Sequence, residues 1–168
     1  MISYKKALNI LEEAGCSDSV IEHCIEVSKL ATEIGNKLAT DGADIDLVLV
    51  EIGGLLHDLG RAKTHGIRHA IEGAAIAREM GIDNSVVEII KKHIGAGITA
   101  DEAIRLDLPP DNYIPQTIEE KIVAHADNLI RGTMRISIEE RISIMEKSNV
   151  NRESIEMLGK LADEIGVY

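Results

Sequence analysis

Apolar residues recur at three- and four-residue spacing along most of the chain, which predicts helices almost throughout. A first helix should run from about Ser3 to Ala14 and stop at Gly15. A second, capped by Ser17 or Asp18, carries Val20, Cys24, Val27, Leu30, Ala31, Ile34 and Leu38 on one stripe and ends near Asp41-Gly42. A third, capped by Asp44, is strongly apolar from about Ile45 and leads into His57-Asp58. A polar, basic connection from Arg61 to Arg68 follows. A fourth helix spans about His69 to Met80, and a fifth starts at Asp83 or Asn84 and ends around Ile94-Gly95. Three S/T-x-x-E capping boxes then predict helix starts: Thr99 with Glu102, Thr117 with Glu120, and Ser137 with Glu140. The proline-rich stretch Leu108 to Pro115 between the first two must be loop. A last helix runs from near Asn151 to about Ile165. No segment alternates with period two for long enough to be a strand. The expectation is an all-α, compact single-domain helical bundle over residues 1–168, without internal repeats or low-complexity tracts.

Composition narrows the classes open to such a bundle. With 168 residues the chain can bury a real core, but it has no Phe and no Trp, so that core must be aliphatic. Cys16 and Cys24 are not paired as C-x-x-C and fit buried or free thiols in a reducing compartment. No apolar run is long enough for a membrane span, and no signal peptide opens the chain, so a cytoplasmic location is expected. A net charge of −11 argues against general nucleic-acid binding, which depends on phosphate neutralisation. A small phosphorylated ligand needs only a local basic patch and stays open.

The chemistry concentrates at Leu55-Leu56-His57-Asp58-Leu59-Gly60-Arg61, where an apolar helix ends on an imidazole and a carboxylate. A buried carboxylate without a partner is costly, and nothing nearby in sequence obviously neutralises Asp58. Imidazole and carboxylate together are good ligands for a divalent ion. The plainer alternative is a helix end with both side chains in water and Gly60 as its cap. Other helices bear on the choice. His23 lies on the stripe of the second helix between Val20 and Val27, and His93 follows Ile89 and Ile90 on the fifth. Asp127 is flanked on its helix face by Val123 and Ile130, and His69 opens the fourth helix. Inward imidazoles and carboxylates on several helices of an aliphatic bundle are how helix bundles build metal sites.

The order His23, His57-Asp58, Asp127 resembles the H…HD…D pattern of the HD-domain metal-dependent phosphohydrolase superfamily, over about residues 20–131. Leu55 to Gly60 is similar to that family's HD-I/L-G helix-end motif, with Arg61 where many members have Lys, and Ala126-Asp127 matches its final Asp. His69-Ala70-Ile71-Glu72-Gly73-Ala74 and Lys91-Lys92-His93 resemble the extra histidines of members that bind two metals. The spacing is closer to the HD-type dinucleoside tetraphosphate hydrolases than to the HD-GYP phosphodiesterases, whose Gly-Tyr-Pro signature is missing after His93.

The resemblance implies an HD-type bundle with flanking helices at both ends, holding divalent metal at His23, His57, Asp58, His69, His93 and Asp127. Two ions are expected, with Mn, Fe, Mg, Zn, Co and Ni all suited to His/Asp ligands. Asp58 would bridge them and, with His57, form the catalytic centre. The implied activity is hydrolysis of a phosphate ester or anhydride of a small molecule, a nucleotide, by metal-activated water. Arg61 and Lys63, directly after the motif, and Arg131, one turn beyond Asp127, are the expected phosphate contacts, although Arg131 could instead pair with Asp127. His65 is a further imidazole placed for leaving-group protonation, and His125 is read as packing or surface. Two alternatives stay open: a dinucleoside polyphosphate hydrolase, and a non-catalytic metal- or nucleotide-binding sensor. Oligomeric state is not legible.

Overall fold

The computed structural model describes residues 1–168. Helix α1 is Tyr4–Ala14, α2 Asp18–Thr40, α3 Leu47–Leu56, α4 His69–Glu79, α5 Asn84–Lys92, α6 Ala100–Arg105, α7 Ile118–Asn128, α8 Ile138–Lys147 and α9 Arg152–Ile165. A 3₁₀ turn, Leu59–Ala62, joins α3 to the basic connection. The fold is all-α but for one small hairpin, β1 Ile130–Arg131 paired antiparallel with β2 Met134–Arg135. Strands of two residues give no alternation to read, so periodicity could not find them.

Helix α3 is the centre. Its sequence, LVLVEIGGLL, is apolar on nearly every side, and the helix is fully buried from Ile52 to Leu56, the half that leads into His57-Asp58. Val50 packs into a core with Leu30, Ile34, Ile89, Ile122 and Leu158 from α2, α5, α7 and α9. Ile52, Leu55 and Leu56 pack into a second core with Ile10, Leu11, Cys24 and Val86 from α1, α2 and α5. Both cysteines are buried and unpaired.

The predicted caps hold with two corrections. Asp46, not Asp44, starts α3, because its carboxylate accepts from the Leu49 amide at 2.9 Å. Of the three capping boxes only Thr117 with Glu120 is reciprocal. Thr99 and Ser137 accept from their N3 amides. The Glu102 carboxylate, however, is recruited by the first turn of α9, accepting from Asn151 Nδ2 at 2.6 Å and Ser154 Oγ at 3.2 Å.

Two close backbone approaches set the helices that carry the candidate site. A Cβ on Gly54 would stand 2.8 Å from the Ser28 Cα, so α2 crosses α3 at that glycine. A Cβ on Gly60 would stand 1.8 Å from the His69 carbonyl oxygen and 2.5 Å from the Gly73 nitrogen. Only glycine lets the turn after His57-Asp58 lie directly on the first turns of α4. Gly60→Ala should therefore destabilise the fold by at least about 1–3 kcal/mol, since main chain must move to make room. Gly159, inside α9 with open space at its Cβ position, is the control. Gly159→Ala should stabilise by about 0.5–1 kcal/mol and raise Tm by about 1–4 °C. Thermal melts of both variants by circular dichroism check the pair; equal shifts would refute the packing assignment.

Candidate metal centre

Each histidine of the expected set donates one ring nitrogen to a main-chain carbonyl. His57 caps the C-terminus of α3 and its Nδ1 lies 2.7 Å from the Gly54 oxygen. His93 caps the C-terminus of α5 and its Nδ1 lies 2.8 Å from the Ile90 oxygen. His69, the first residue of α4, reaches the Gly66 oxygen at 2.8 Å. These three bonds run to residue i−3, and for His57 and His93 they use last-turn carbonyls that have no donor within the helix. His23, on the second turn of α2, reaches the Gly132 oxygen of the β1–β2 turn at 2.8 Å.

A carbonyl can only accept, so all four rings carry their proton on Nδ1. In the neutral rings Nε2 is then a bare lone pair, and the four Nε2 atoms converge. His23 Nε2 lies 3.0 Å and His57 Nε2 3.4 Å from Asp127 Oδ1. His57 Nε2 lies 3.8 Å and His23 Nε2 3.9 Å from Asp58 Oδ2. His69 Nε2 lies 3.1 Å and His93 Nε2 3.5 Å from Asp58 Oδ1. The His69 and His93 Nε2 atoms are 3.0 Å apart. Lone pairs facing lone pairs and carboxylates at such distances repel unless a cation stands among them. His57 Nε2 and Asp58 Oδ1 are buried without any hydrogen-bond partner.

The electrostatics agree. Burial opposes a charge on His57, yet the Asp58 and Asp127 carboxylates outweigh it and raise its pKa to about 9. Burial likewise opposes charge on Asp58 and Asp127, but positive His57 holds both far below the usual carboxylate range. Burial lowers the His93 pKa, helped by the neighbouring His57 and His69 rings. The pocket thus strongly favours positive charge in its middle: a proton at His57 or a metal ion.

The donor set fits divalent ions. Three subsets each place one ligand atom per residue within 4.8 Å of the others: His23 with His57 and Asp58, His57 with His93 and Asp127, and Asp58 with His69 and His93. Carbonyl-anchored Nδ1–H is how ligating histidines are usually oriented. Asp58 divides its carboxylate, Oδ2 toward His23 and His57 and Oδ1 toward His69 and His93.

The basic residues take other places than expected. Asp58 does have a partner nearby in sequence: Arg61 Nε donates to its Oδ2 at 2.7 Å, and Arg61 Nη1 donates to the His65 carbonyl at 3.1 Å. The 3₁₀ turn makes this i,i+3 pair, which helical spacing from α3 would not suggest. Lys63 is exposed and ion-paired with Glu72 at 3.8 Å. Arg131 is exposed in β1 and does not pair with Asp127. His125 is fully buried, Nε2 donating to the Val167 carbonyl at 3.0 Å, and His65 is exposed.

Two supporting residues were not legible as such. Lys92 is buried between Glu120 at 3.0 Å and Glu88 at 3.1 Å. It ties the residue before His93 to the first turn of α7, which carries Asp127. Arg141 of α8 donates to the Asn128 carbonyl at 2.6 Å and the Ile130 carbonyl at 3.2 Å, capping α7 just beyond Asp127. The adjacency of Lys92 to His93 was the one available signal.

A model of the HD domain family matches residues 20–132. An uncharacterized protein of Methanocaldococcus jannaschii is 50% identical over 98% of this chain and 97% of that protein. A tRNA (cytidine(56)-2'-O)-methyltransferase of Thermoplasma volcanium is 46% identical over 92% of this chain but only 44% of its own length. A Ribonuclease Y of Pseudothermotoga lettingae is 32% identical over 82% of this chain and 25% of its own length. Among solved structures, the phosphodiesterase PgpH HD domain of L. monocytogenes in complex with cyclic-di-AMP superposes with a TM-score of 0.59 at 16% identity, covering 97% of each chain. No helix of the present chain is long and apolar enough to cross a membrane.

If Asp58 serves two ions, their losses separate. A His69→Ala, His93→Ala double variant should retain about one equivalent of metal where the unaltered chain retains about two. Asp58→Ala should weaken both. Elemental analysis after dialysis checks this, and unchanged metal content in the double variant would favour a single-ion site.

Proposed function

We propose that this chain, which belongs to the HD domain family, hydrolyses a phosphate ester or anhydride of a small nucleotide at a two-metal centre. The family binds divalent metals and includes metal-dependent phosphohydrolases. The observation that carries the reading is the split Asp58 carboxylate, with one oxygen toward each histidine pair. The proposed ligands are His23, His57, Asp58 and Asp127 for one ion, and His69, His93 and Asp58 for the other. When bound, such ions bind phosphoryl oxygen and lower the pKa of water enough to supply hydroxide near neutral pH.

The chain's own groups would do the rest. The four carbonyl-anchored imidazoles hold their lone pairs in place before substrate arrives. Arg61 fixes Asp58 Oδ2 from the side, acting on the site through that carboxylate. The side chains of His23 and Asp127 are the more open of the ligands, at 16% and 22% exposed. Lys63 and Arg131 are proposed as outer contacts to the phosphate.

The relatives and the structural neighbour support a nucleotide substrate: Ribonuclease Y by its name cleaves RNA, and the phosphodiesterase PgpH holds cyclic-di-AMP. The Thermoplasma methyltransferase, of which this chain spans under half, is named for action on tRNA. The net charge of −11 favours a small nucleotide over a polymer gripped by its backbone.

Incubating the purified chain with nucleotide phosphodiesters and phosphoanhydrides, across several added divalent ions, tests the reading. Turnover should require the ion and stop on chelation. Asp58→Ala should lower it by more than about 100-fold, the upper end for losing a group that only supports a ligand. Metal binding without turnover of any compound would leave a sensor module instead. A second variant separates roles: Arg61→Ala should lower turnover about 10–100-fold while folding is retained. Unchanged turnover would remove Arg61 from the site.

A further inference from the structure

A cavity of about 500 Å³ lies between the loop after α5, helix α6 and the α8–α9 turn. Its wall is joined to the proposed ligands by covalent bonds. Ile94 directly follows His93, and Ile67 stands two residues before His69. The Gly95 carbonyl accepts from Asn128 Nδ2 at 2.7 Å, and Asn128 directly follows Asp127. Half of the lining is apolar, including Ile98, Met145 and Val150, and no lysine or arginine takes part.

That lining excludes a phosphate. Its one charged residue is Glu102, which would repel an anion and is already committed to Asn151 and Ser154. The hydroxyl of Ser148 and the carboxamide of Asn149 face the cavity without hydrogen bonds to the chain, offering donors and an acceptor. The walls are fixed by backbone geometry. Gly97 sits at φ 104°, where a Cβ would meet the Ile114 Cα at 2.6 Å, and Asn149 sits at φ 54°. An apolar, cation-free cleft with a few polar groups suits a neutral heterocycle and sugar.

We propose that this cavity holds the nucleoside part of the substrate, with the phosphate at the metal centre. The assignment rests on the phosphohydrolase reading above for its orientation, but nucleoside binding can be measured without turnover. The Asn149 carboxamide reads the edge of the base, as a donor–acceptor pair can. Glu102 keeps the anionic end of the ligand turned away from the cleft and toward the metal.

Adenosine, cytidine and uridine, titrated into the full-length ¹⁵N-labelled chain, test the cavity directly. Amide shifts should be confined to residues 67, 94–98, 102–106 and 145–154 for at least one of them. Asn149→Gly, which keeps the positive φ unstrained, should weaken that binding about 3–10-fold, the loss of a neutral hydrogen bond. Val150→Arg, on the exposed rim, should abolish it. The proposal is overturned by no shift up to about 10 mM, near the weak end of measurable binding. It is equally overturned by shifts elsewhere, by binding indifferent to Val150→Arg, or by shifts with an RNA oligonucleotide alone. Hydrolysis of bis(4-nitrophenyl) phosphate without nucleoside binding would overturn the cavity and keep the hydrolase. Nucleoside binding without any turnover would support the cavity and remove the hydrolase reading.

Discussion

Four histidine Nδ1–H groups bonded to main-chain carbonyls are the constraint on which the rest of the centre depends. They leave no freedom of tautomer, so four Nε2 atoms, each a lone pair when its ring is neutral, converge on two carboxylates, and the site must take up positive charge as a proton at His57 or as a metal ion. His57 Nε2 and Asp58 Oδ1 are buried there without a hydrogen-bond partner from the chain. A protein that only needed a stable core would fill this space with aliphatic side chains, as it does around α3, because unmatched buried polar groups are costly. The arrangement makes physical sense as a receptor for concentrated positive charge.

The fold is arranged to hold those rings still. An all-round apolar α3 anchors His57 at its end, and the contact of Gly60 with His69 and Gly73 lays α4 against the following turn. The β1–β2 hairpin is small but supplies the Gly132 carbonyl that orients His23. Buried Lys92 between Glu88 and Glu120 couples the end of α5 to the start of α7. Such buried ion pairs add little net stability over apolar packing, but removing one partner is strongly destabilising, so this pair serves alignment. Arg141 holds the other end of α7, next to Asp127.

Much of this was legible in the chain. The stripe of α2 and the strongly apolar run of α3 gave helices that the structure shows, buried from Ile52 to Leu56 in α3, and the H…HD…D order pointed to the HD family. The inward placement of His23, Asp58, His93 and Asp127 was read from the apolar residues around them on their helices. What was not legible depended on local turns and distant partners. Arg61 reaches Asp58 because the chain tightens into a 3₁₀ turn after α3, which periodicity does not reveal. Lys92 looked like any solvated lysine until Glu120, 28 residues on, was brought beside it. The i−3 carbonyl bonds of His57 and His93 were implicit in two histidines at helix ends, but only the exact helix termini disclose them. The substrate is harder to read because the relatives share this unit while carrying different names.

The most direct test is long-range ¹H–¹⁵N correlation of the histidine rings, with the chain titrated with a diamagnetic divalent ion such as zinc or magnesium. The account predicts Nδ1-protonated rings for His23, His57, His69 and His93 in the loaded chain. All four Nε2 resonances should move on metal addition. Buried His125, whose Nε2 donates to Val167, should show the opposite tautomer and stay unmoved. Nε2-protonated rings at the four positions in the loaded chain, or Nε2 resonances indifferent to the ion, would contradict it.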